Sequence, residues 1–197
     1  MIFEAVRKLA LPFAEIEKYV PQRGKILDVG CGHGIFSEML AQKSPTREVL
    51  GIDPAINKIR LAQAHRAGLP NLKFKHAYLP EINSKFDCII IIDVLYLLPI
   101  KKKVEILTNC KKLLKKNGIL ILKEVEKTGS LMFFITKLEE IIMVQLLKYT
   151  YSDKGNLYFV NTAYYLKLLR KLGFKKVKSR QIRAIIPYPH MLFVFRA

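Results

Sequence analysis

Between Ile26 and Gly34 the chain reads Ile-Leu-Asp-Val-Gly-Cys-Gly-His-Gly. An apolar run gives way to glycine at every second position, and an apolar helical pattern starts at Ile35. Glycine reaches backbone angles closed to other residues and lets another molecule approach the main chain. A strand that turns through glycines into a helix can bring bare N–H groups against a ligand. A second apolar run, Val49-Leu50-Gly51-Ile52, closes on Asp53 about one βαβ unit later. A carboxylate at a strand's end can accept from both hydroxyls of a ribose. These features point to a nucleoside-type cofactor at the carboxyl edge of a parallel sheet. The dinucleotide fingerprint wants glycines at its first, third and sixth places. Here those places are Gly30, Gly32 and Ile35, with the third glycine at Gly34, which weakens a nicotinamide or flavin reading.

The run from Asp28 to Gly34, followed by Asp53, resembles the first two motifs of class I methyltransferases dependent on S-adenosylmethionine. Phe86-Asp87, five residues and then Asp93-Val94-Leu95 resemble the fourth motif of the small-molecule members. Leu113 to Leu120 resembles their "LKPGG" turn, with Asn117 for one of the usual glycines, and Gly173-Phe174 their last helix exit. The resemblance covers nearly the whole chain. It implies S-adenosylmethionine as cofactor and S-adenosylhomocysteine as product. Asp28, Gly30, Cys31, Gly32, Gly34, Asp53 and Pro54 would surround the cofactor, with Asp93 near its methionine end. The family often carries an adenine-binding aspartate after the third strand. Here Ala77 stands there, followed by Tyr78, so their backbone groups would serve.

The pattern predicts one domain, 1–197: a doubly wound, mostly parallel seven-stranded α/β sheet, helices on both faces, closed by a C-terminal antiparallel hairpin. Residues 1–20 have helical spacing, with a bend at Pro12. Strands are expected at 25–30, 48–53, 72–76, 86–93, 119–125, 175–186 and 191–195, and helices at 35–43, 55–67, 101–115 and 161–172. Phe86 to Ile92 is nearly all apolar and suits a central strand, while Leu72 to His76 alternates and suits an edge. Residues 127–159 break the repeat. Within them Leu131 to Leu147 is apolar nearly all round, and a helix here would cover the substrate site, pack on the core or form a dimer interface.

The net charge of +18 raises nucleic acid or an anionic membrane as partners. Most of the lysines, however, map to helix C-termini and strand starts, at the edge remote from the cofactor. Cations are favourable beside a helix C-terminus. Lys101, Lys102, Lys103, Lys127, Lys137 and Lys154 are the ones expected by the active edge. Nucleic acid is therefore the less favoured partner, peripheral membrane contact stays open, and 131–150 offers a homodimer face. Cys31, Cys88 and Cys110 form no CxxC pair and read as reduced thiols of a cytoplasmic protein. No run of 18 uncharged apolar residues exists.

Side chains expected at the acceptor site are Asp93, Tyr96, Glu124 or Glu126, Tyr188 and His190. His190 is the histidine that topology brings beside that edge. Its ordinary pKa suits a general base, and its alternative is a hairpin histidine bonded to backbone. No metal-ligand spacing is present. Asp93-Val94-Leu95-Tyr96 also departs from the Asn/Asp-Pro-Pro-Tyr/Phe of nucleobase and protein-amide methyltransferases. The apolar insert suggests a greasy acceptor, methylated on oxygen or carbon. An RNA methyltransferase and a non-catalytic cofactor-binding partner subunit are the alternatives.

Overall fold

The computed structural model describes residues 12–66, 68–142, 156–182 and 189–197. These residues form a seven-stranded sheet in the order β3-β2-β1-β4-β5-β7-β6. Its strands are β1 Gly24–Val29, β2 Arg47–Asp53, β3 Leu72–His76, β4 Phe86–Ile92, β5 Leu114–Val125, β6 Lys175–Ile182 and β7 His190–Arg196. The first five run parallel, and β7 lies antiparallel between β5 and β6. The chain leaves β1 for β2 on one side and returns to β4 on the other. That switch opens a crevice at the carboxyl ends of β1 and β4.

Side-chain alternation feeds two cores. Leu27, Val29, Ile89, Ile91, Leu120, Leu122 and Phe193 meet α4 (Ile100–Leu113) and α6 (Thr162–Lys171). Ile26, Cys88, Ile90, Ile92, Ile121 and Leu192 meet α1 (Phe13–Glu17) and α2 (Ile35–Lys43) on the other face. β4 is buried from end to end but for Asp87, as a central strand should be, and β3 is the edge its alternation predicts. Helix α3 spans Ile56–Arg66.

Most boundaries shift by a residue, and the largest differences lie where α4 passes into β5. Helix α4 stops at Leu113 instead of 115, because Leu114 already pairs with Phe86. Asn117 then takes a left-handed φ of 65° before the ladder resumes at Ile119 with Cys88. Helix α5 is described over Leu131–Ile141. The expected continuation from 143 to 147, the rest of the 131–150 face and Lys154 lie outside the described residues. So do 1–11 of the N-terminal segment, 183–186 of β6's expected length, and Tyr188.

Several lysines at the far edge are used locally. Lys111 Nζ donates to Gly173 O at 2.7 Å, Lys85 Nζ donates to Lys112 O, and Lys115 pairs with Asp87 at 2.8 Å. Lys103, assigned by sequence to the active edge, is fully buried.

Candidate cofactor and acceptor site

The glycine loop is folded by three left-handed residues: Gly30 at φ 73°, Gly32 at 57° and Gly34 at 77°. A Cβ on Gly30 would lie 2.4 Å from Val94, and one on Gly34 2.4 Å from the Phe74 ring. Both glycines are therefore packing necessities. At Gly32 an added Cβ meets nothing within 4 Å, so this is where the backbone stands open to a ligand. The expectation of bare amides needs correcting. Gly30 and Cys31 both donate to Ile52 O, at 2.8 and 3.0 Å, and Gly34 donates to Cys31 O at 2.9 Å.

Gly32 N–H instead donates to Asp53 Oδ2 at 2.9 Å, while Ala55 N–H donates to Oδ1 at 2.8 Å. The Asp53 carboxylate is buried, and two internal bonds orient it. Each of its oxygens keeps further lone-pair capacity. A buried carboxylate held edge-on beside a Cβ-free opening fits the ribose of a nucleoside cofactor, which is the fit the motif requires. Asp28 is buried behind the loop and accepts from Ser37 Oγ at 2.6 Å, tying β1 to the first turn of α2. The Pro54 carbonyl accepts from His76 Nε2 at 3.0 Å, and Ala77 N–H reaches Asp53 O at 3.4 Å. Ala77 is buried and Tyr78 exposed. Burial, then the charges of Asp28 and Asp53, push the Cys31 thiol well above its ordinary value, so it is a poor nucleophile.

Gly32→Ala separates ligand binding from folding. A left-handed φ costs a non-glycine residue about 1–2 kcal/mol, with no clash to add. The added methyl enters the opening, and affinity for S-adenosylhomocysteine falls at least about tenfold. Calorimetry beside a thermal melt checks this. Unchanged affinity would show that the opening does not face the ligand.

Across the crevice, Asp93 leaves β4 with φ 55°. Such backbone persists in a non-glycine only where its surroundings over-determine it. Here they do. Asp93 N–H donates to Lys123 O at 2.9 Å, and Asp93 Oδ2 receives Lys123 Nζ at 2.5 Å, the lysine side chain being fully buried. Glu124 then accepts from Val94, Leu95 and Tyr96 N–H at 3.2, 2.9 and 3.0 Å. Two consecutive β5 residues, on opposite faces of the sheet, thus converge on the exit of β4. Lys123 was marked by no motif. The available signal was Lys123-Glu124 interrupting an apolar strand next to the sheet centre.

His190 sits at the start of β7, opposite Val125 of β5 and Ile182 of β6, and is 2% exposed. Burial and then the Lys123 charge lower its pKa to about 4, against the opposing pull of Asp93. It is neutral at pH 7 and a weaker base than an ordinary histidine. Glu126 accepts from Thr162 N–H at 3.3 Å. Tyr96 is buried and stacks on Phe159, with ring centres 4.9 Å apart and planes 12° apart. Its carbonyl accepts from Tyr158 N–H at 2.6 Å. Phe133 of α5 meets the Phe159 ring edge-on at 5.3 Å. Tyr96, three residues after Asp93, thus joins an aromatic cluster with Phe159 and Phe133. No helix among the described residues is long and apolar enough to cross a membrane.

A sheet in this order, with a glycine turn after β1 and a carboxylate closing β2, defines a class I S-adenosylmethionine-dependent methyltransferase domain. The methyltransferase-domain family matches residues 22–165, and the chain belongs to that family. It is similar to the trans-aconitate 2-methyltransferase of Deinococcus radiodurans, 35% identical over 39% of this chain and 30% of the relative. It is also similar to the ubiquinone biosynthesis O-methyltransferase of Paracidovorax citrulli, 29% identical over 58% of this chain and 49% of the relative. The chain thus spans half or less of these two relatives. Among solved structures, the magnesium protoporphyrin IX methyltransferase of Synechocystis with bound S-adenosylhomocysteine superposes with a TM-score of 0.70. That match is 22% identical and covers 96% of this chain and 81% of the other, and it carries the fold alone.

Proposed function

We propose that the protein transfers the methyl group of S-adenosylmethionine to a small hydrophobic acceptor, on oxygen or carbon, with oxygen the stronger reading. The observation that carries this is the aromatic cluster of buried Tyr96 and Phe133 with half-buried Phe159, which begins three residues after Asp93. The ubiquinone biosynthesis O-methyltransferases among the relatives support an oxygen acceptor. The cofactor supplies an activated methyl on a sulfonium, so alignment of the acceptor can provide much of the rate. Asp53 and the Gly32 opening hold the nucleoside, and the aromatic cluster excludes water and seats an apolar body.

An oxygen acceptor must lose its proton. Lys123 holds one oxygen of Asp93 in place, and the other, Oδ1, is buried with no hydrogen bond from the protein. That oxygen keeps acceptor capacity for a hydroxyl that enters beside it, which makes Asp93 the candidate base in place of His190, whose basicity is lowered.

The test is methyl uptake from labelled S-adenosylmethionine into a panel of hydroxylated aromatic and prenylated compounds, with structured RNA and small carboxylic acids in parallel. Uptake by the apolar hydroxyl compounds is expected, and Asp93→Asn should lower kcat at least about a hundredfold, as loss of a general base does. Uptake confined to RNA or to the carboxylic acids would overturn the reading.

A further inference from the structure

Glu124 is fully buried on the face of β5 that meets α4 and α6, and it spends its carboxylate on three consecutive main-chain amides. Oε1 takes Val94 and Leu95, and Oε2 takes Tyr96. Both oxygens are acceptors in this arrangement, which only the ionised form provides. A proton on either oxygen takes up one of its acceptor positions and removes the charge that strengthens all three bonds, so the turn is held more weakly. That turn begins with Asp93 in its left-handed conformation and ends with Tyr96 against Phe159.

We infer that Glu124 is a positioning residue: ionised, it locks the 94–96 turn and so holds Asp93 and Tyr96 at the acceptor; protonated, it releases them. The inference rests on the acceptor lying against this turn, as proposed above.

The groups that face the cluster decide where the release falls. Burial, then the negative charge of Asp93, pushes Glu124 up to about 7, against the Leu95 N–H and the charges of Lys103 on α4 and Lys123 on β5. Burial lowers Lys103 below the usual lysine range and the Glu124 charge opposes that shift, so the protonation of the two groups is linked. Burial and then Glu124 hold the Tyr165 phenol of α6 well above its ordinary range, so it keeps its proton. His190 of β7, near Lys123 and Asp93, is lowered to about 4 and is already neutral. The Glu124 carboxyl therefore changes charge near neutrality while Tyr165 and His190 keep theirs. Deprotonation favours the ordered turn, so kcat should rise as pH rises through about 7 and fall below it.

The experiment is an NMR titration of the wild-type protein, following the Glu124 carboxyl carbon and the amides of Val94, Leu95 and Tyr96. A common midpoint near 7 is expected. A carboxyl that titrates in the ordinary glutamate range, or amides that do not follow it, would overturn the inference. This arm needs no acceptor, so its outcome is independent of the proposed reaction. With an acceptor in hand, Glu124→Gln should lower kcat about tenfold, the effect of losing one charged hydrogen bond. It should also flatten the profile between about pH 6 and pH 8 while leaving affinity for S-adenosylhomocysteine within about threefold. A Gln variant that keeps the wild-type profile would also overturn it.

Discussion

Asp53→Ala abolishes measurable binding of S-adenosylhomocysteine. Two bonds hold the carboxylate, Gly32 N–H to Oδ2 at 2.9 Å and Ala55 N–H to Oδ1 at 2.8 Å. Alanine removes the ribose acceptor and also strands two amides, at about 1–3 kcal/mol for each buried donor left unmade. Charge-assisted bonds to the ribose hydroxyls add a loss of similar size. The stranded amides weaken the fold with and without ligand, so it is the lost ribose bonds that raise Kd, at least about a hundredfold. Asp53→Asn separates the two contributions. Its amide oxygen keeps one internal bond while its NH2 group meets the other amide head-on, so an intermediate loss is expected. Calorimetric titration of wild type and both variants decides the matter, with NAD run beside as the competing cofactor. Wild type that binds NAD, or Asp53→Ala that binds S-adenosylhomocysteine as wild type does, would sink the assignment.

What could be read from the sequence was whatever is set by local backbone chemistry. Glycines spaced by two after an apolar run leave few options, and all three adopt positive φ. The unbroken Ile89-Ile90-Ile91-Ile92 could only be a strand covered on both faces, and it is central. Interactions between distant residues were not legible. Glu124 reaches amides 28 to 30 positions away, a partnership with no periodicity to betray it. Topology put His190 beside the carboxyl edge, yet its low pKa comes from burial and from Lys123, which only the paired register brings near. The bare-amide reading of the glycine loop failed for a related reason. Motif spacing says that N–H groups converge, and only the register of β1 on β2 shows that Ile52 O and Asp53 take them first.

Glu17→Ala should lower stability by about 3 kcal/mol. Arg47 opens β2 with no exposed side-chain surface, an extreme position for a guanidinium. It donates to Glu17 at 2.8 Å and to the carbonyls of Pro21, Leu40 and Val20 at 2.8, 3.2 and 3.2 Å, pinning α1 and the end of α2 to the sheet. Breaking one side of a buried pair leaves an uncompensated charge, typically about 3–5 kcal/mol. The three carbonyls that remain on Arg47 place the cost at the lower end. For a domain of this size the loss corresponds to a fall in Tm of about 6–12 °C. The pH dependence follows from the carboxylate. Burial alone would raise the Glu17 pKa, but hydrogen bonds and charge from Lys43 and Arg47 hold it below its ordinary 4.5. A depressed folded-state pKa gives stability that is present above the unfolded value and lost as pH falls through the folded one. The gap between wild type and variant should therefore be full at pH 7 and shrink as pH falls below the ordinary glutamate range. Thermal melts across that range test both the size and the sign. A gap that is small at pH 7, or that widens in acid, would mean that Glu17 does not carry the Arg47 charge. Arg47→Met on the Glu17→Ala background should then recover part of the loss, since a buried apolar pair no longer holds an uncompensated cation.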